Sequence, residues 1–359
     1  MKRNRIAIIG TQGLPNKYGG FETLVEYLTK YLSIEFEITV FCSSKIYKNK
    51  LNTYNNSKLK YLPFNANGWE SLLYDSISIF LSLKYDKILL LGSNGSFVMP
   101  LIKINKNKFI LNIGGIDWKR SKWNKFNQKL IKYLNSLAVR NSRVIISDNK
   151  GIQEFILAEY NRESILIEYG GDQVKKIIPS ESDMVKYPFL KGAFAFSVAR
   201  IQQDNNIDMI LDAFISDTSL SIVFVGNWAN SKYGKETKYK YQGYKNIILL
   251  DAIYDQRKLD TLRSNCSIYI HGHSAGGTNP SLVEAMNLGL PICAFSSVFN
   301  KYTTENMALY FNSAKELETI ISTIKNANLE SIGKKMKEIA DRRYKWSIIA
   351  EKYSQLFRN

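Results

Sequence analysis

Histidine, cysteine and acidic residues are scarce in this sequence of 359 residues. It has two histidines and three cysteines, and no Cys/His spacing typical of a metal site occurs. Cys42, Cys266 and Cys293 lie far apart in apolar surroundings. This arrangement argues against a disulfide framework and predicts reduced core residues of a cytosolic protein. We therefore expect neither disulfides nor a bound metal.

Long apolar runs are absent as well. No run of 18 or more apolar residues occurs, and the basic start leads directly into a strand pattern rather than into a signal-peptide core. We therefore expect a cytoplasmic chain without a transmembrane helix. A hydrophobic content of 45% with 23% charged residues is typical of a globular protein, and the length allows two domains.

The shortage of acids leaves a formal net charge of +17, from 49 basic and 32 acidic residues. The excess is concentrated in 103–143, where eleven Lys or Arg accompany a single acid, Asp117. Aromatic residues are interleaved with them: Trp118, Trp123, Phe126 and Tyr133. We interpret this segment as a contact with an anionic membrane face. A merely solvated lysine-rich surface is one alternative. A nucleic-acid contact is the other, but no nucleic-acid motif accompanies the charge, so we expect no nucleic-acid partner.

Two successive series of strand and helix patterns predict an α/β protein with two doubly wound domains. We place the first domain at 1–176 and the second at 190–339, and we expect a helix at about 340–359 to pack back on the first. The nonperiodic segment 173–192 is interpreted as a linker, and the polar segment 227–243 as a loop.

The first domain opens with a strand, a loop and a helix, but the loop lacks the G-x-G-x-x-G spacing of dinucleotide binding. Gly19 and Gly20 come immediately before the helix, where bare backbone is able to approach a ligand. A plain turn is the alternative. The segment 69–83 is predicted to form an amphipathic helix that faces the core.

The most informative stretch is 271–290, which reads HGHSAGGTNPSLVEAMNLGL. Asn279 and Pro280 predict the start of a helix, and Gly289 predicts its end. The glycine-containing loop 274–279 would direct backbone N–H groups to that helix N-terminus, where an anion is stabilised. The two histidines of the chain, His271 and His273, also fall there, at the carboxyl end of a strand, where α/β sheets bind ligands.

Glu284 lies about one turn into this helix, where its carboxylate would accept hydrogen bonds from hydroxyls beside the anion. A phosphate beside a diol indicates a nucleotide, and in particular a nucleotide sugar. The alternative is structural, because glycine-rich turns occur throughout α/β proteins and a Glu near a helix N-terminus is ordinary dipole chemistry.

Several motifs resemble glycosyltransferase family 4. The second half is similar to its C-terminal domain in VARI at 198–201, NNID at 205–208 and SLVEAMNLGLPI at 281–292. Four longer motifs are similar to its bacterial rhamnosyltransferase branch: GTQGLPNKYGGFETLVEYL, NIGGIDWKRSKW, EYGGD and HGHSAGGTNPSLVEAM. The resemblance covers essentially the whole chain. It implies the GT-B fold, with two doubly wound Rossmann-like domains facing across a cleft, and a retaining, metal-independent sugar transferase.

Matched residue by residue, the resemblance assigns Glu284 to the nucleotide ribose and Arg200 to neutralising the diphosphate. Two positions depart from the family pattern: its first glutamate is Gly276 here, and its usual lysine after Arg200 is Asn205. A 6-deoxy sugar would use the backbone of 277–279 differently from other sugars. The full set of expected donor-binding residues is Gly19, Gly20, Arg200, Asn205, His273, Gly276, Gly277, Thr278, Asn279 and Glu284.

The proton of the acceptor hydroxyl would pass to the departing phosphate or to Asp117. The alternative role of Asp117 is to cap the helix that follows. We expect Arg200 and Asp117 to be the catalytic residues. The expected function is transfer of L-rhamnose from dTDP-rhamnose to a lipid-linked sugar acceptor in cell-surface polysaccharide synthesis. The expected location is the inner face of the cell membrane, held peripherally. One alternative is a transferase using a UDP- or GDP-sugar, and another is a non-catalytic basic nucleic-acid-binding protein.

Overall fold

A computed structural model describes residues 3–17, 19–116, 118, 124–215, 220–323 and 328–359. The chain divides into two compact units. The N-terminal unit comprises Met1–Tyr169 and Trp346–Asn359, and the C-terminal unit comprises Gly170–Lys345. Among the described helices, none combines the length and the apolarity needed to cross a bilayer.

The N-terminal unit is built on a sheet of eight strands. In chain order its elements are β1 Arg5–Ile9, α1 Gly20–Leu32, β2 Glu37–Ser43, β3 Thr53–Tyr54, β4 Ser57–Leu62, α2 Glu70–Ser82, β5 Lys87–Leu91, the 3-10 segment Ser96–Lys108, β6 Phe109–Asn112, α3 Lys125–Arg140, β7 Val144–Ser147, α4 Lys150–Tyr160, β8 Ile165–Leu166 and, from the end of the chain, α13 Trp346–Arg358. The strand order is β3-β4-β2-β1-β5-β6-β7-β8, and every pairing except β3 with β4 is parallel.

The central strands of this sheet are buried on both faces. Residues 6–9 of β1 and 88–91 of β5 are almost inaccessible to solvent. Such strands read as continuous apolar runs, because helices cover both faces of a parallel sheet. The closing helix α13 packs on α1, where the rings of Tyr27 and Trp346 stack with centroids 4.5 Å apart. It also reaches β6, since Asn112 Nδ2 donates to the hydroxyl of Tyr353 at 2.7 Å.

The helix predicted at 69–83 is present as α2 and faces the core, but its buried face carries a mixed set of side chains. Leu73 and Phe80 are exposed, while the buried face carries Tyr74, Ile79 and four serines. Serine is tolerated there because its hydroxyl bonds within the helix, as when Ser78 Oγ donates to the carbonyl of Tyr74 at 2.7 Å. Serines thus share the inner face with Tyr74 and Ile79, while Leu73 and Phe80 face solvent.

The C-terminal unit has a sheet of six parallel strands. Its elements are α5 Glu181–Lys186, β9 Phe194–Val198, α6 Ile207–Asp212, β10 Ser221–Val225, α7 Lys232–Tyr241, β11 Ile247–Leu250, α8 Gln256–Ser264, β12 Ile268–His271, α9 Pro280–Asn287, β13 Ile292–Phe295, α10 Val298–Thr303, β14 Leu309–Phe311, α11 Ala314–Thr323 and α12 Leu329–Arg343. The strand order is β11-β10-β9-β12-β13-β14. Strands β9 and β12 are therefore neighbours at the centre of the sheet.

Two segments predicted to be irregular contain helices. The segment 227–243 holds α7, and its N-cap Ser231 accepts a hydrogen bond from the amide of Gly234 at 3.0 Å. The segment 173–192 holds α5, which begins with a capping box between Ser180 and Asp183. Both helices start at a serine cap, a local signal that does not need a regular apolar pattern.

Candidate functional site

The carboxyl ends of β9 and β12 bring two loops together. The strands pair in parallel, with Tyr269 opposite Phe196, so the residues that follow each strand emerge at the same edge of the sheet. The amide of Ser274 donates to the carbonyl of Asp204 at 2.9 Å, and Asn206 Nδ2 donates to the carbonyl of Gly272 at 2.8 Å. The loops 199–206 and 272–279 therefore form one surface.

Gly272 permits this close approach. A Cβ atom at this position would lie 2.1 Å from the carbonyl oxygen of Asn205, a distance that no side chain tolerates. Any larger residue would push the two loops apart, and the hydrogen bonds between them would be lost.

Asn205 connects His273 with the chain at Arg200. Its side-chain amide donates to the carbonyl oxygen of Arg200 at 2.7 Å, and its Oδ1 lies 2.8 Å from Nδ1 of His273. The first bond fixes the orientation of the amide, so Oδ1 is the acceptor and His273 carries its proton on Nδ1. Both Asn205 and His273 are buried. Three residues predicted to bind one ligand thus lie together.

Arg200 is the second residue after the end of β9, and it is exposed. Its guanidinium has no ion-pair partner among the residues that the structure describes. An exposed arginine held through its backbone, and not neutralised by a carboxylate, is suited to binding an anionic ligand.

The loop after β12 leads into the N-terminus of α9. Asn279 is the N-cap, and its Oδ1 accepts hydrogen bonds from the amide of Ser281 at 3.0 Å and from its hydroxyl at 2.9 Å. Pro280 occupies the first helical position, as predicted. The backbone N–H groups of Gly276 and Gly277 have no acceptor within the described ranges of the chain. They lie next to the positive end of the helix dipole, a combination that favours an anion.

Glu284 is held from two sides. Its Oε2 forms an ion pair with the guanidinium of Arg263, and its Oε1 accepts a hydrogen bond from Nε2 of Gln173 at 2.6 Å. Its side chain keeps 15% of its accessible surface. Gly171 allows this approach from the neighbouring segment, because a Cβ there would lie 2.7 Å from the backbone carbon of Val283. The carboxylate is thus oriented, and part of it stays accessible.

Arg263 is the residue that the sequence interpretation missed. It lies on α8 and its side chain is fully buried. Oδ1 of Asp260 lies 3.9 Å from its Nη2. Burial, the largest single influence, works to lower the pKa of Arg263, but Glu284, Tyr269 and Asp260 together raise it above its ordinary value. Nε and Nη2 of Arg263 have no hydrogen-bond partner within the described part of the chain. Glu284 is therefore the principal group that compensates a buried positive charge.

The other predicted residues lie elsewhere. His271 is buried in β12, and burial, followed by the neighbouring His273, lowers the pKa of His271 to about 3, so it is neutral at pH 7. Gly19 and Gly20 lie at the start of α1 in the N-terminal unit, and Gly19 has a φ of +132°. Asp117 lies outside the described residues.

No three His, Cys, Asp or Glu side chains come together as metal ligands in the part of the chain that the structure describes. The surface at the carboxyl ends of β9 and β12 instead combines a free guanidinium, free backbone N–H groups and an oriented carboxylate. This set is able to bind an anion next to a group rich in hydroxyls.

Two family models match the sequence, one in each half. Residues 180–339 match the model described as glycosyl transferases group 1. Residues 3–172 match a domain of unknown function, DUF1972. A search among curated proteins finds no match.

Solved structures match the whole chain. Sucrose-phosphate synthase from Thermosynechococcus elongatus has a TM-score of 0.82 at 16% identity, covering 99% of this chain and 98% of its own. HepE from Anabaena in complex with UDP-glucose has a TM-score of 0.73 at 16% identity, covering 99% and 100%. A glycosyltransferase from Rickettsia africae has a TM-score of 0.75 at 13% identity, covering 100% and 98%. These likenesses confirm the predicted fold class, two Rossmann-like α/β domains with parallel sheets as in GT-B structures.

Proposed function

We propose that this chain, a glycosyltransferase whose residues 180–339 match the group 1 glycosyl transferase model, transfers L-rhamnose from dTDP-rhamnose to a lipid-linked sugar acceptor with retention of configuration. Because the chain is a glycosyltransferase, we no longer consider the alternative of a non-catalytic nucleic-acid-binding protein. One observation carries the proposal: a free cation, free backbone N–H groups and an oriented carboxylate meet at one edge of the C-terminal sheet. We propose that this edge, including Arg200, Gly276, Gly277 and Glu284, binds the donor.

The diphosphate of the donor is assigned to Arg200 and to the start of α9. Breaking the bond between sugar and phosphate leaves negative charge on the leaving diphosphate, and donors that are fixed beforehand stabilise that charge without reorganising. The guanidinium, the amides of Gly276 and Gly277 and the helix dipole supply such donors. Asn205 and His273 have a positioning role, because their hydrogen bonds fix the loop that carries Arg200.

The ribose of the nucleotide is assigned to Glu284. A carboxylate has about four acceptor sites, and Arg263 and Gln173 occupy one on each oxygen. The remaining sites are able to accept hydrogen bonds from two ribose hydroxyls. The ion pair with Arg263 and the hydrogen bond from Gln173 hold the carboxylate in one orientation before the nucleotide arrives.

The choice of rhamnose rests on Gly276, which stands where family 4 has its first glutamate. A glycine there offers no carboxylate to a sugar hydroxyl, which suits a 6-deoxy sugar that lacks the 6-hydroxyl. The backbone of Gly277, Thr278 and Asn279 is proposed to contact this sugar instead. Within the N-terminal unit, Gly19 and Gly20 are proposed as ligand-contacting residues. The acceptor proton is proposed to leave with the diphosphate or to pass to Asp117.

A UDP-sugar is the second candidate donor, because HepE, which shares the fold, binds UDP-glucose. A donor assay separates the two candidates: release of nucleoside diphosphate from dTDP-rhamnose, UDP-glucose and GDP-mannose, in EDTA, with a lipid-linked saccharide as acceptor. We expect kcat/KM for dTDP-rhamnose to exceed the others by about tenfold or more, which corresponds to about 1.4 kcal/mol.

Each outcome of this assay has a defined meaning. Preference for UDP-glucose would refute the rhamnose assignment and leave the site intact. Activity that disappears in EDTA and returns with Mg²⁺ would refute metal independence. Turnover of none of the three donors with any acceptor would count against the proposed donor class as a whole.

A further inference from the structure

Three elements of the N-terminal unit adjoin one another and form one surface. The hydroxyl of Ser96, at the start of the 3-10 segment, donates to the carbonyl of Leu134 in α3 at 2.6 Å. On the other side, Gly95 lies against the backbone of α2, where an added Cβ would come within 2.6 Å of the carbonyl carbon of Asp75. The 3-10 segment is thus fixed between α2 and α3.

Each of these elements leaves large apolar side chains in solvent. In the 3-10 segment, Leu101 is 78% exposed and Ile104 is 92% exposed. In α3, the exposed residues follow the spacing i, i+4, i+7, which places them on one side of the helix. The exposed large apolar residues of these elements, together with Trp69 directly before α2, are Trp69, Leu73, Phe80, Leu81, Phe97, Leu101, Ile104, Phe126, Leu130 and Tyr133. We call these residues the apolar face of the N-terminal unit.

The apolar face is accompanied by uncompensated positive charge. The 3-10 segment and α3 contain no acidic residue. Lys106, Lys125 and Lys129 are exposed and have no carboxylate partner among the described residues. On α2, Glu70 is already paired with Lys45 at 2.8 Å, and Asp75 is buried.

We propose that the apolar face inserts into the headgroup region of an anionic bilayer. Large apolar side chains exposed on three adjoining elements are typical of a surface that contacts a membrane or another partner. The lysines favour an anionic bilayer as the partner of this face, because such a bilayer offers both a layer of negative charge and an apolar interior. Lysine side chains are long enough to reach the headgroups while the apolar ones enter deeper.

This inference rests on the proposed lipid-linked acceptor and adds the residues that bring the enzyme to it. It also changes the contact predicted from sequence. Trp118 is partly buried, with its ring 6.2 Å from that of Phe155 and with Lys132 5.0 Å above it, so it is held within the unit. Residues 119–123 of the predicted basic segment 103–143 lie outside the described residues. Phe126 and Tyr133 of that segment belong to the apolar face, which extends the contact to α2 and the 3-10 segment.

The test uses two insertion variants and a matched control. The apolar variant is Leu101→Gln with Ile104→Gln, and the charge variant replaces Lys106, Lys125 and Lys129 with Gln. The control is Ile178→Gln with Val185→Gln in the C-terminal unit, whose native side chains are 92% and 78% exposed, as are Ile104 and Leu101. Because all these side chains are exposed, each variant should fold.

Co-sedimentation is measured with vesicles of phosphatidylcholine alone and with about one third phosphatidylglycerol. We expect the wild type and the control to bind the anionic vesicles. The affinity of both insertion variants for these vesicles should be lower by a factor of about ten or more. Binding of the wild type should weaken in high salt, since the Debye length falls from about 10 Å at 0.1 M to about 3 Å at 1 M.

Three results would overturn the inference: equal binding of the wild type and the apolar variant, equal loss in the control, or a wild-type dimer without lipid that the apolar variant abolishes. The last would show that a second copy of the chain covers the face. The affinity for dTDP, measured by calorimetry without lipid, keeps the two proposals apart. If the wild type binds dTDP but does not bind vesicles, the proposed membrane insertion is refuted and the proposed donor site is not.

Discussion

Replacing Glu284 with Ala is expected to lower the free energy of unfolding by about 3–5 kcal/mol, because it leaves the charge of the fully buried Arg263 without its principal partner. Asp260, at 3.9 Å, compensates only part of that charge. The same substitution removes the acceptor proposed for the ribose, so nucleotide affinity should fall as well. A loss of binding in this variant alone would therefore have two explanations.

A double variant separates these explanations. Replacing a buried ion pair with apolar side chains of similar size is often neutral or stabilising, so Arg263→Met combined with Glu284→Met should recover most of the lost stability. It should not recover the affinity for dTDP. Urea unfolding measures the first quantity and calorimetry the second. If a stable double variant binds dTDP as tightly as the wild type does, Glu284 does not take part in donor binding.

Replacing Arg200 with Ala is expected to weaken dTDP binding by about 1.5–3 kcal/mol, or roughly ten- to a hundredfold, through loss of charge-assisted hydrogen bonds to the diphosphate. Stability should change by no more than about 0.5 kcal/mol, because the side chain is exposed and the bond from Asn205 goes to the backbone. If the arginine also stabilises the leaving group, kcat should fall too.

Arg257 provides the matched control for this prediction. It is an exposed arginine of the same unit, on α8, and it has no assigned role. Arg257→Ala should leave both dTDP affinity and kcat unchanged. Equal losses in the two variants would show that general positive charge, rather than the position of Arg200, attracts the nucleotide.

The sequence predicted best where local signals coincide. Apolar runs located the central strands, and Asn279, Pro280 and Gly289 defined α9 to within a residue or two. Arg200, Asn205 and His273 lie together in the structure, and their role in binding the donor stays a prediction. Their proximity follows from strand order, because β9 and β12 pair although about 70 residues separate them.

The features that escaped prediction depend on tertiary contacts. Helix α7 buries Gly234, Thr237 and Tyr241, a set without the regular apolar pattern on which helix prediction relies. The inner face of α2 likewise lacks a regular apolar pattern, because four serines accompany Tyr74 and Ile79 there. Arg263 gave little signal beyond its i, i+3 spacing from Asp260, since the partner that explains its burial lies 21 residues away on another helix.

The central claim is that a nucleotide sugar binds at the carboxyl ends of β9 and β12. Hydrogen–deuterium exchange with and without dTDP or UDP tests it most directly, because the amides of Gly276 and Gly277 have no acceptor within the described residues and a phosphate would provide one. We predict slower exchange in peptides covering 199–206 and 272–288 when nucleotide is added. Unchanged exchange in both peptides at saturating nucleotide, or protection confined to other segments, would contradict the account.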